Sequence, residues 1–173
     1  MTTYAQSPPY DILALVRSFS DWAAKSAAKT TPEHELLPVF SLHDSTATLD
    51  AARASSLIRN GLRAGRINEL VDLLGLSKKE DISHAIRTNA TSLWRWAKDD
   101  KPLPGVAVEQ ILRAMQLQFF AADVFGSVDL ARKWLHQPHP ALDGISPSDY
   151  ADNEFGAQKV RGMLAGLKYG GVA

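Results

Sequence analysis

The sequence predicts an all-α fold, and three of its features support that class. Apolar residues recur at spacings of three and four in several long segments, which is the period of an amphipathic helix. No segment alternates apolar and polar residues over the length of a strand, so essentially no sheet is expected. Glycine and proline separate the periodic segments from one another, as they do between helices. We therefore expect a helical bundle.

The predicted helices follow one another along most of the chain. The first covers residues 9–27, after an N-cap at Ser7, and an irregular connection over residues 28–46 follows it. Further helices are expected over residues 48–64, 66–74 and 106–125, from Ser127 to before Pro138, from Ser146, and over residues 156–169. Glycine often ends a helix because it takes the left-handed backbone conformation without strain. The expected terminating glycines are Gly65, Gly75, Gly126 and Gly170.

Composition excludes several classes of function. The 173 residues include no cysteine, which rules out disulfides, zinc ribbons, iron–sulfur clusters and thiol nucleophiles. No stretch approaches the ~18 apolar residues of a membrane span and no signal peptide is evident, so we expect a cytoplasmic protein. Neither a phosphate loop nor a nucleophile motif occurs, and His136, His139 and Asp143 resemble turn residues more than a metal site. The sequence therefore predicts no enzymatic activity, no cofactor and no small-molecule substrate.

The charges are unevenly distributed although they sum to zero. Residues 1–50 carry a net charge of −3, residues 51–103 of +4 and residues 104–173 of −1. A basic segment between acidic flanks favours a polyanion such as DNA. Arg59, Arg63 and Arg66 equally fit a solvated helix whose negative end they complement, so both interpretations stay open.

Residues 79–98, inside the basic segment, fit a helix-turn-helix. Ile82 and Ile86 point the first helix inward, and Leu93 and Trp96 anchor the second. Asn89 is the expected N-cap of the second helix. These assignments predict six DNA-contacting residues: Asn89, Thr91, Ser92, Trp94, Arg95 and Lys98.

Within this set Arg95 is the best candidate to recognise a base, because its planar guanidinium can pair with the O6 and N7 of guanine. Arg87 occupies the turn position that usually holds glycine, so we expect a turn that is wider or differently shaped. Two alternatives remain at this point. A helical hairpin in any protein can mimic the motif, and burial of both Trp94 and Trp96 would rotate the outward face.

The last third of the chain carries a specific string of residues. In order these are Ala131, Trp134, Leu135, Pro138, Pro140, Ala141, Leu142, Pro147, Gly156, Ala157, Val160, Leu164, Tyr169 and Gly170. From about residue 109 onward the chain resembles the toxin-binding domain of the Xre/MbcA/ParS antitoxins, the partners of RES-domain toxins. The upstream motif is similar to the Xre-like DNA-binding part of that family. Tyr150-Ala151-Asp152 and Phe155-Gly156 depart from the family's commoner sequences.

This resemblance implies an antitoxin of a type II toxin–antitoxin module. It would form a homodimer, bind a RES-domain toxin that degrades NAD, occlude the toxin's active site, and repress its own operon by binding operator DNA. The implied organisation is an N-terminal helical extension (1–50), a DNA-binding region (51–104) and a toxin-binding domain (105–173). The implied toxin-binding residues are Leu167, Lys168, Tyr169 and Gly170, of which the last three are expected on a mobile tail beyond the core.

Other interpretations of the same residues remain. On the residues alone, a frayed terminus is the simpler description of that tail. The chain could also be a stand-alone transcriptional regulator whose C-terminal domain serves dimerisation, or a helical adaptor that has lost DNA binding.

Overall fold

Helices dominate the computed structural model, which describes residues 10–27, 40–43, 46–76, 78 and 81–170. The α-helices are α1 (Tyr10–Ser26), α2 (Ala51–Asn60), α3 (Leu70–Leu73), α4 (Asp81–Ala85), α5 (Ala90–Lys98), α6 (Gly105–Phe125), α7 (Val128–His136), α8 (Pro147–Tyr150) and α9 (Glu154–Tyr169). Two 3-10 helices cover Ala64–Glu69 and Pro140–Leu142. The predicted all-α class is confirmed. In the described ranges no helix is both long and apolar enough to cross a membrane.

A small hairpin interrupts this helical pattern. Strands β1 (Phe40–His43) and β2 (Thr46–Leu49) pair antiparallel, with Phe40 opposite Leu49. The sequence predicts an irregular connection here, because strands of four residues are too short for their alternation to be recognised. The predicted N-cap at Ser7 and residues 28–39 lie outside the described residues.

Helix α6 lies at the centre of the hydrophobic core. It contacts α1, α2, α4, α7, α9 and β2. Its buried residues are Ala107, Val108, Ile111, Leu112, Met115, Leu117, Gln118, Phe119, Ala121 and Ala122. Phe119 lies 4.7 Å from Phe40 and 6.4 Å from Phe19, measured between ring centroids, in edge-to-face contacts. These rings attach the hairpin and α1 to α6.

Most predicted helix ends are correct, and one is wrong. Gly75, Gly126 and Gly170 have the left-handed backbone expected of terminating glycines. Helix α2, however, ends at Gly61 rather than Gly65. Beyond Gly61 the chain is extended, and Leu62 accepts a hydrogen bond from the Leu103 amide at 2.7 Å. This pairing with a segment some 40 residues away is not visible in the local sequence pattern.

Three side chains from the C-terminal half hold the end of α3. Gln118 Nε2 donates to the Leu73 carbonyl at 2.8 Å, and Arg132 donates to the carbonyl of Asp72. His136 Nε2 lies 3.1 Å from the carbonyl oxygen of Leu74. Since the last carbonyls of a helix have no partner within it, these contacts stabilise the helix end.

We expect two glycines of α9 to respond oppositely to substitution by alanine. A Cβ at Gly156 would lie 1.9 Å from the Tyr150 carbonyl oxygen, whereas one at Gly162 would meet nothing within 4 Å. Gly156→Ala should therefore lower the free energy of unfolding by about 1–3 kcal/mol. Gly162→Ala should raise it by about 0.5–1 kcal/mol, because alanine favours the helix. Urea denaturation followed by circular dichroism measures both, and an equal effect at the two sites would contradict this packing.

Candidate DNA and toxin interfaces

Helices α4 and α5 occupy the positions of the predicted helix-turn-helix. Ile82, Ile86 and Leu93 are fully buried, as predicted, and Trp96 packs half-buried against the same core. Arg87, in the turn between the helices, has a φ of +53°. It thus adopts the left-handed conformation that glycine would take, so the arginine does not force a different turn, contrary to expectation.

The outward face of α5 centres on a stripe of three exposed residues. Thr91, Arg95 and Lys98 are spaced by four and three residues and therefore lie on one side of the helix. Ser92 and Trp94 are partly buried at the borders of this stripe. Trp94 and Trp96 are both partly buried and pack against the core, as the alternative assumed, but Arg95 is exposed and stays on the outward face.

The two ends of α5 are fixed by hydrogen bonds. At its start the Asn89 side chain accepts the Ser92 amide at 3.1 Å, which confirms the predicted N-cap. Just past its end, the Asp100 carboxylate accepts the Gly65 amide at 3.0 Å and Arg63 Nη1 at 3.2 Å. A Cβ at Gly65 would lie 2.5 Å from that carboxylate oxygen, so a larger residue there would displace the Asp100 side chain. Helix α5 is therefore held at both ends.

The basic side chains of α2, of the segment that follows it and of α5 divide into two groups. Arg63 pairs with Asp100, and Arg66 pairs with Glu69 at 2.8 Å, a hydrogen bond that raises the pKa of Arg66 above its ordinary value. Among the described residues Arg59, Arg95 and Lys98 form neither an ion pair nor a side-chain hydrogen bond. The second group is therefore available to an external anion.

The predicted toxin-binding residues lie on a helix rather than on a mobile tail. Leu167, Lys168 and Tyr169 form the last turn of α9, and Gly170 caps it with a φ of +67°. Lys168 Nζ pairs with the Asp123 carboxylate of α6 at 2.6 Å, and this hydrogen bond raises the pKa of Lys168. The expectation of a tail beyond the core was wrong because this contact joins residues 45 positions apart, which no local pattern shows.

Helix α9 also exposes an aromatic residue, Phe155, that was not among the predicted toxin-binding residues. The exposed fraction is 86% for Phe155, 77% for Tyr169 and 56% for Leu167. Phe155 and Tyr169 are 14 residues apart, close to four helical turns, so they lie on the same side of α9. We call this side, with Phe155, Gly162 and Tyr169, the α9 outer face. The exposure of Phe155 could have been predicted from the sequence. Phe155 lies on the side of α9 opposite the buried Ala157, Val160 and Leu164.

The two histidines near Asp143 have protein partners. His136 Nδ1 lies 3.1 Å from Ser148 Oγ while its Nε2 faces the end of α3, and His139 Nδ1 accepts the Ala141 amide at 3.2 Å. Within the part of the chain that the structure describes, no cluster of three or more histidine, aspartate or glutamate residues could hold a metal ion.

Comparison with known proteins bears on the C-terminal part. Residues 120–170 match the family model of the antitoxin Xre/MbcA/ParS C-terminal toxin-binding domain. This segment is similar to that toxin-binding domain. The toxin-binding domain starts in the second half of α6 and ends at the cap of α9, so it contains the whole α9 outer face. No curated protein matches the chain. The domain supports a role as antitoxin in a toxin–antitoxin system, with a protein toxin as partner.

We expect the Lys168–Asp123 pair to stabilise the end of α9. The side chains are 28% and 10% exposed, so Lys168→Gln should lower the free energy of unfolding at pH 7 by about 0.5–1 kcal/mol after allowance for solvent screening. Because the pKa of Lys168 is raised in the folded state, this contribution is complete below its ordinary value of 10.5 and is lost as the pH rises through the raised pKa.

Lys133→Gln is the matched control, since Lys133 is exposed and forms no ion pair among the described residues. Urea titrations at several pH values measure both variants. The assigned ion pair would be contradicted if Lys133→Gln lowered the free energy of unfolding as much as Lys168→Gln does. It would also be contradicted if the effect of Lys168→Gln did not depend on pH.

Proposed function

We propose that the chain is the antitoxin of a type II toxin–antitoxin module with two binding activities. It neutralises a RES-domain, NAD-degrading toxin by binding it and occluding its active site. It represses its own operon, as a homodimer, through a helix-turn-helix formed by α4 and α5. The observation that carries the proposal is the match of residues 120–170 to a toxin-binding domain whose last helix leaves two large aromatic side chains exposed.

The α9 outer face is the surface that we assign to the toxin. Exposed aromatic residues carry a large share of binding energy at protein interfaces, and tyrosine is enriched among the residues that dominate it. Tyr169, from the set implied by the resemblance, lies on this face, whereas Leu167 is exposed on nearly the opposite side of the last turn. Lys168 is engaged with Asp123, so we assign it to the stability of the helix end rather than to the toxin.

The exposed stripe of α5 is the surface that we assign to DNA. Arg95 and Lys98 offer positive charge that no described residue neutralises. Thr91 lies in the first turn of α5, where free backbone amides attract phosphate. Asn89 and Ser92 border the same end, and Trp94 lies at the edge of the stripe. Because the two helix ends are held by Asn89 and Asp100, this surface is presented in a fixed orientation.

Substitutions on the α9 outer face should weaken toxin binding. We expect Phe155→Ser and Tyr169→Ser each to reduce affinity for the toxin about tenfold or more, because each removes an aromatic anchor. Calorimetry with the protein encoded by the neighbouring open reading frame measures this, and growth rescue shows its consequence. Val106→Ser is the control, since Val106 is 65% exposed but lies outside the matched segment. Unchanged affinity in both α9 variants would place the toxin on another surface.

Arg95→Ala should weaken binding to the operator more than binding to random DNA. A bidentate guanine contact contributes about 1–3 kcal/mol of discrimination. Competition binding with a duplex from the chain's own promoter and with a scrambled duplex measures the two effects. Lys133→Ala, in the toxin-binding domain, removes the same charge and should change neither. Equal losses on both duplexes would mean that Arg95 contacts phosphate, and no loss on either would remove α5 from the interface.

A further inference from the structure

A cavity of about 310 Å³ lies between α4 and the C-terminal half of the chain. Residues from the end of α3 and from α4, α6, α7 and α8 line it. Its volume is at the lower end of the range of small-molecule sites, so it suits a ligand with one or two rings. The cavity is separate from the α9 outer face and from the exposed stripe of α5, since no residue of either surface lines it.

Most of the buried residues that line the cavity are apolar. Leu74, Leu117 and Leu135 are among them, and they are joined by Gln118, which is only 2% exposed. The Nε2 of Gln118 donates to the Leu73 carbonyl oxygen, whereas its Oε1 accepts no hydrogen bond from any described residue. A buried acceptor without a partner is unfavourable, so this oxygen favours a ligand that brings an N–H donor.

The exposed residues that line the cavity give it a negative charge. Asp81, Asp149 and Asp152 contribute three carboxylates, and Arg87 contributes one guanidinium. With both histidines of the lining neutral, the charge is therefore −2. Arg87 donates to the carbonyl oxygen of Asp149 rather than to a carboxylate. Asp81 and Asp152 form no ion pair with any described residue, so both are available to an external cation.

We propose that this cavity binds a small organic cation, namely an amine with a flat apolar body that carries one N–H donor at its inner end. The body packs on the buried leucines, the N–H donates to Gln118 Oε1, and the ammonium group lies among the carboxylates of the mouth. Apolar burial supplies affinity, and the two polar contacts fix the orientation. An anion of the same shape is rejected by the excess of carboxylates. The inference goes beyond the proposed function, because it needs neither toxin nor DNA.

Calorimetry of the full chain with three ligands of similar shape tests the recognition. The probes are tryptamine, its benzothiophene analogue, which has sulfur in place of the ring N–H, and indole-3-acetate, which has a carboxylate in place of the ammonium group. We expect tryptamine to bind. The benzothiophene analogue should bind about fivefold more weakly or worse, because Gln118 Oε1 stays without a donor. Indole-3-acetate should bind at least about tenfold more weakly, because its charge is repelled. No binding of tryptamine at about 1 mM, or equal affinity for either analogue, overturns the inference.

Two substitutions show whether tryptamine binds in this cavity. Asp152→Asn removes a carboxylate of the lining, while the main-chain carbonyl that accepts Gln110 and Arg113 stays in place. It should weaken tryptamine binding about threefold or more. Asp143→Asn is the matched control and should leave the affinity unchanged, since Asp143 is exposed outside the cavity and asparagine suits its left-handed backbone.

Equal losses in the two variants would mean that cations are attracted only to the acidic surface in general. No loss in Asp152→Asn would place tryptamine at another site. Either result overturns the inference and leaves the proposed function untouched.

Discussion

The burial of α6 is the constraint on which the rest of the structure depends. With 21 residues this helix is about 30 Å long, and apolar side chains cover most of its circumference. It therefore needs neighbours on several sides, which α1, α2, α7, α9 and the hairpin supply. Burial of each large apolar side chain stabilises the folded state by about 1.5–3 kcal/mol relative to exposure. Alone in water, α6 would lose this stabilisation and would not be stable. The same helix enters the toxin-binding domain and packs beneath α4, so both proposed interfaces share one core.

The parts of the fold that were predictable from the sequence are those with local causes. Helix α6 has a long apolar period and ends at Gly126, and α7 begins at Ser127, whose side chain accepts the amide of Leu130. Asn89 caps α5 because its side-chain oxygen reaches an amide three residues ahead. In the candidate DNA interface, the exposure of Arg95 follows from the same helical period that buries Leu93. Each of these features depends on residues within about two turns of one another.

The parts that were missed depend on contacts between distant segments. Helix α2 ends early because Leu62 pairs with Leu103, and α9 has no free tail because Lys168 reaches Asp123. The carbonyls at the end of α3 are satisfied by Arg132 and other side chains more than 40 residues away. Neither periodicity nor capping rules report such pairs. In the candidate toxin interface Phe155 was missed because the resemblance implied only Leu167, Lys168, Tyr169 and Gly170.

In the proposed function, two different helices of one core bind two different partners, α9 the toxin and α5 the operator. Hydrogen–deuterium exchange of the full chain, measured alone, with toxin, with promoter duplex and with both, tests it most directly. We expect toxin to slow exchange along α9 and duplex to slow exchange at the start of α5, and we expect both effects to persist when both partners are present. Toxin protection confined to α5, or one partner abolishing the protection due to the other, would contradict it.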